Sequence, residues 1–137
     1  MGTITLRWVE KYLMVASDSN GHSIAVGRSP DQEHIWAGVK PSDLLLMAAA
    51  SCSAYDVVEI LTKQREPFTD LKVFCSGDQI SDPPYRFVKI HLHYQVHGQV
   101  NPVKLEKAIR LSQEKYCSVI NTIRPDTPIT FDYEINQ

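Results

Sequence analysis

The stretch that most constrains this chain is KPSDLLLMAAASCSAYDVVEILTKQR, Lys40 to Arg65. Pro41 opens it and Pro67 closes it, and no Gly or Pro falls between them, so one long helix is expected over Asp43–Arg65. At 1.5 Å per residue it reaches about 34 Å, the width of a small domain. Its first half, Leu44 to Ala54, is apolar or small on every side, the pattern of a buried helix. That run falls short of the ~20 residues needed to cross a membrane. Cys52 lies in its middle among serines and alanines, whose small side chains leave space beside a thiol.

A helix apolar all round needs cover on more than one face, and one small sheet covers only one. A second copy of the chain is the simplest cover, so a homodimer with the long helices near the shared interface is expected. The 137 residues are 43% hydrophobic, enough for one domain, 1–137, with a core that requires neither metal nor disulfide. A net charge of −2, without basic runs, argues against a nucleic-acid partner. The first residues, MGTITLRWVEKYLMV, carry no signal-peptide run, so a cytoplasmic protein with no membrane partner and reduced cysteines is expected.

Around the helix, alternation marks the strands. Thr3–Ala16 reads as a half-buried strand or hairpin arm, and Asn20-Gly21 as a hairpin turn into a return strand over His22–Gly27. The connection from Arg28 to Pro41 is long, and Ile35 and Trp36 argue that it packs as an interface or a lid. Phe68–Gly77 and Tyr85–Val96 read as a strand pair. Asn101-Pro102 is a helix start, leading through Lys115 to a second helical segment that begins at Tyr116 or Cys117 and ends before Pro125. Thr127–Ile135 is the last strand. The order gives an α+β fold of antiparallel sheets packed on a long buried central helix.

Three cysteines need sorting. Cys75 alternates with Leu71 and Val73 and reads as a core residue. Cys117 stands where the chain re-enters a helix, so free N–H groups and the helix dipole are expected to favour its thiolate. Cys52 lies far from its own helix start and needs a cation instead; Arg28 is the candidate, paired with Asp43, and Arg7 is second. His91 and His93 share one strand face with His97 nearby, a spacing that can bind zinc, but a solvent-facing polar strand accounts for them and no metal is expected.

The pattern PSDLLLMAAASCSAYDVVEIL followed downstream by KYCSVI resembles the OsmC/Ohr family of thiol-dependent hydroperoxide reductases. Asp56–Leu61, DVVEIL, is similar to its OsmC-like subgroup. The resemblance implies an intertwined dimer in which Cys52 is the peroxidatic thiol and Cys117 the resolving one. It also implies a small hydroperoxide as substrate and no bound cofactor, the disulfide being reduced by a lipoyl group or another thiol reductant. In the family an Arg held by a Glu activates the first cysteine; here Ser42 stands at the Glu position with Asp43 beside it, and Lys11-Tyr12-Leu13 occupies the Arg region. The rival readings are a non-enzymatic dimer of this fold that binds an apolar ligand, with redox-sensitive cysteines, and a thioesterase-like dimer. The second has no carboxylate–histidine pair in the sequence to support hydrolysis.

Overall fold

The computed structural model describes residues 2–137, which divide into two compact units: one ends at Leu45 and the other begins at Leu46. In the first, strands β1 (Thr5–Glu10), β2 (Leu13–Ser17) and β3 (Ser23–Gly27) form an antiparallel meander. The expected single strand over Thr3–Ala16 is therefore two strands. The chain turns at Lys11, whose φ is 50°, and the Lys11 carbonyl accepts from Trp8 Nε1 at 2.7 Å. At the next turn Asp18 Oδ1 accepts from the N–H groups of Asn20 (2.9 Å) and His22 (2.8 Å), and Gly21 takes a φ of 89°.

Gly27, at φ 106°, is required where it stands, since a Cβ there would collide with the Tyr12 carbonyl. Its own carbonyl accepts from the N–H groups of Ala37 (3.2 Å) and Gly38 (3.0 Å). The long connection is thus pinned to the sheet, and two cations reach the Trp36 ring, Arg28 at 5.3 Å and Lys40 at 5.5 Å from its centre. β1 is exposed along its whole length, including Leu6 and Trp8.

Helix α1 spans Pro41–Lys63, with Pro41 in the first turn, Asp43 near its positive end and Lys63 near its negative end. Within one chain it is buried along a single stripe, Ala49, Ser53, Val57 and Leu61, spaced four apart. Its other sides stay open within one chain, as expected of a helix that one small sheet covers on one face only: Met47 is 52% and Tyr55 75% exposed. By length and composition the whole helix is long and apolar enough to cross a membrane, which the run Leu44–Ala54 is not, but its buried stripe belongs to a protein core.

The second unit is built on β4 (Phe68–Gln79), β5 (Phe87–Gly98) and β6 (Ile129–Asn136), with β5 central. β4 pairs with it antiparallel, from Phe68↔Gly98 to Gln79↔Phe87. β6 pairs parallel, from Ile90↔Ile129 to His97↔Asn136, which corrects the expectation of antiparallel pairing throughout. The reason is the crossover: α2 (Pro102–Leu111), a π-turn (Ser112–Tyr116) and α3 (Ser118–Ile123) carry the chain back to the end of the sheet where β5 began. Asn101 caps α2, its Oδ1 accepting from Val103 N (2.9 Å) and Lys104 N (3.3 Å).

The inner face of β5 places Ile90, Leu92, Tyr94 and Val96 against Val57 and Leu61 of α1, Leu105, Ala108 and Ile109 of α2, and Ile120 of α3, all buried. Each large apolar side chain so buried contributes about 1.5–3 kcal/mol. Tyr94 meets Phe131 of β6 edge-on, ring centres 6.3 Å apart.

Candidate active site

Cys52 stands one residue before Ser53 of the buried stripe, so its side chain lies half-buried at the flank of the core. Cys117 arrives from the other direction. The helical path of α2 widens at Ser112–Tyr116, where the Cys117 N–H reaches back five residues to the Ser112 carbonyl at 2.7 Å. Cys117 is then extended (φ −74°, ψ 106°) and caps α3, its Sγ accepting from Ile120 N at 3.4 Å. Its side chain is fully buried.

Burial alone would raise the pKa of Cys52. Hydrogen bonds outweigh it: from the Cys117 thiol, the Val119 N–H, and the hydroxyl and N–H of Ser118, which together hold Cys52 below an ordinary thiol. Cys117 goes the other way. Burial pushes it up to about 12, and the proton it lends to Cys52 adds to that. The expectation that the helix start would favour a thiolate at Cys117 is thus reversed. The N–H groups that follow Cys117 serve Cys52, and Cys117 holds the proton.

Arg28 and Asp43 form no ion pair among the described residues, which corrects their expected pairing. Asp43 is exposed, and the Arg28 guanidinium lies over Trp36. The groups that lower Cys52 are hydrogen-bond donors rather than a cation. Cys75 is half-buried on β4 opposite Leu92, and burial pushes its thiol up to about 11.

On the outer face of the sheet, His91 Nε2 and His93 Nδ1 each lie 2.8 Å from Asp132 Oδ1, while His93 Nε2 lies 3.0 Å from Glu134 Oε1. His91 Nδ1 lies 2.7 Å from Thr130 Oγ1. Asp132 and Glu134 are carboxylates the sequence reading did not place beside these histidines. They arrive because β6 runs parallel in register with β5. Among the described residues no three His, Cys, Asp or Glu side chains are arranged to hold a metal ion. Both nitrogens of His93 face carboxylate oxygens, so both act as donors only in the imidazolium form; Glu134 first and Asp132 second raise its pKa.

The family model described as OsmC-like protein matches residues 31–132. Protein YhfA of Escherichia coli K12 is 35% identical over 132 residues, 95% of each chain. A hypothetical protein from Aquifex aeolicus VF5 has a solved structure with a TM-score of 0.85 and 30% identity, covering 100% of this chain and 98% of that one. The organic hydroperoxide resistance protein OhrB of Bacillus subtilis shares the fold at a TM-score of 0.64 and 15% identity, covering 98% of each chain.

Proposed function

The chain belongs to the OsmC-like protein family, and from that premise we propose that it is a cysteine-based hydroperoxide reductase acting through Cys52 and Cys117. The observation that supports this reading is the opposite poise of two neighbouring thiols, one lowered towards the thiolate and the other raised by burial. The thiolate is the nucleophile in peroxide chemistry. Cys52 attacks the O–O bond and becomes a sulfenic acid, and the departing alkoxide takes a proton and leaves as the alcohol. The Cys117 thiol condenses with the sulfenic acid, forming the disulfide and releasing water. An external dithiol then reduces that disulfide by two exchanges and is itself oxidised.

In this reading the protein is cytoplasmic, carries no metal or cofactor of its own, and works as a homodimer in which a second copy covers the exposed apolar side of α1. Asp43 and Arg28 are supporting residues in this reading, without an ion pair between them.

Peroxide-dependent consumption of a dithiol tests the reading. Wild type should turn over, Cys52→Ser should lose all activity, and Cys117→Ser should stall with Cys52 overoxidised to the sulfinic acid on mass spectrometry. Equal turnover by wild type and Cys52→Ser would dispose of it.

A further inference from the structure

Behind the two thiols runs a buried file of polar side chains. Gln113 Nε2 donates to the Tyr94 hydroxyl at 2.9 Å, and that hydroxyl bonds Ser53 Oγ. Ser53 Oγ lies 2.9 Å from Ser112 Oγ, which lies 2.9 Å from Asp56 Oδ2. At the far end the Arg124 guanidinium donates to Gln113 Oε1 at 3.3 Å and to the Gln113 carbonyl at 2.9 Å. Ser53, Tyr94, Ser112 and Gln113 are all buried, and no buried side-chain polar atom among the described residues lacks a partner.

One end of this file has a fixed sense. A guanidinium only donates, so the Gln113 oxygen faces Arg124 and its NH2 faces Tyr94. The Tyr94 proton is then directed to Ser53. At the other end Ser112 Oγ is the donor, within 2.9 Å of both Ser53 Oγ and the Asp56 carboxylate.

The file also explains the π-turn. In an unbroken α-helix the Cys117 N–H would bond to the Gln113 carbonyl. That carbonyl is taken by Arg124 and by Asn121 Nδ2 (3.0 Å), so the Cys117 N–H moves back one residue to Ser112. Asn121 Nδ2 also donates to the Cys117 carbonyl at 2.8 Å.

We propose that Ser112, Gln113 and Arg124 are positioning residues for the Cys52–Cys117 pair: the buried file from Arg124 to Asp56 locks the π-turn and so holds the second thiol beside the first. This deepens the reading of the site given above and shares its two cysteines, but it concerns their geometry and not the oxidant.

The test is the equilibrium of each protein with reduced and oxidised glutathione. The Cys52 and Cys117 thiols become a disulfide as one oxidised glutathione becomes two reduced ones, which gives an effective concentration for the pair. Ser112→Ala and Tyr94→Phe should each lower it about tenfold, the scale of one lost buried hydrogen bond, while Ser112→Thr, which keeps the hydroxyl, stays near wild type. Ile109→Val, a core change outside the file, should lower the melting temperature without changing the equilibrium. Effective concentrations within twofold of wild type in Tyr94→Phe and Ser112→Ala would overturn the proposal, as would an equal loss in Ile109→Val. If Ser112→Ala does not fold, Tyr94→Phe decides. A wild-type protein that forms the disulfide readily yet consumes no peroxide would remove the peroxidase reading and leave this one standing.

Discussion

Strand β5 carries a hydrogen-bonded ladder on each of its faces, and the two obey different rules. Inside, Tyr94 joins neutral hydroxyls and an amide, with a single charge at either end of the file. Outside, His91 and His93 reach across to Asp132 and Glu134, where charge is carried by the rungs themselves. Side chains one residue apart on the same backbone therefore do opposite work. Burial suppresses ionisation on the inner face, raising both Cys75 and Tyr94, and so makes its ladder a matter of position. Water permits ionisation on the outer face and makes its ladder a matter of pH.

The widest expected gap concerns thiols. Cys75 projects from β4 into the inner layer and stays protonated at neutral pH, whereas Cys52 lies at the layer's flank, among donors. Iodoacetamide at pH 7 should therefore label Cys52 at least ~100-fold faster than Cys75. Peptide mapping after timed quenching reads this directly, and equal labelling would erase the contrast. Next, Leu92→Ala empties a fully buried site and should cost about 2–5 kcal/mol in urea unfolding, while Phe74→Ala, on the outer face at 55% exposure, should stay within about 0.5 kcal/mol of wild type. Similar losses in the two would mean that the faces are covered alike, as when another molecule sits on the outer one.

The pH dependence sharpens the comparison further. His93 has its pKa raised in the fold, so its contribution to stability is complete below the ordinary histidine value of about 6.5 and is lost as pH rises through the higher folded value. Asp132 and Glu134 are lowered, chiefly by hydrogen bonds from His93, so theirs is present above the ordinary carboxylate range and is lost as pH falls through the lowered values. The outer ladder is thus whole only between those limits. His93→Gln should flatten the upper edge of that window in melting temperature against pH, and an NMR titration of His93 should give a midpoint above that of a free histidine. A midpoint at or below the free value would sink the imidazolium assignment. The effect is small because the groups are exposed to solvent and screened.

Much of this was legible in the residues themselves. Pro41 and Asn101-Pro102 announce their helices, the alternation of Ile90, Leu92, Tyr94 and Val96 announces β5, and the α+β class follows from the order of elements. What was not legible depends on delivery through space. The turn between β1 and β2 sits on Lys11 in a positive-φ conformation, with no glycine to mark it. The parallel direction of β6 depends on where α3 releases the chain, and with it go the carboxylate partners of the histidines. The groups that lower Cys52 belong to Cys117, Val119 and Ser118, far along the sequence. The π-turn has no local signature at all, because its cause is a carbonyl claimed by Asn121 and Arg124.

That turn makes chain length itself a determinant at this spot. Each residue along a helix swings the next side chain by about 100°, so one residue removed between Ser112 and Tyr116 would rotate Cys117 towards another quarter of the helix without altering a single atom of either thiol. Natural variation at Ser112–Tyr116 should consequently tolerate exchanges of side chain far better than changes in the count.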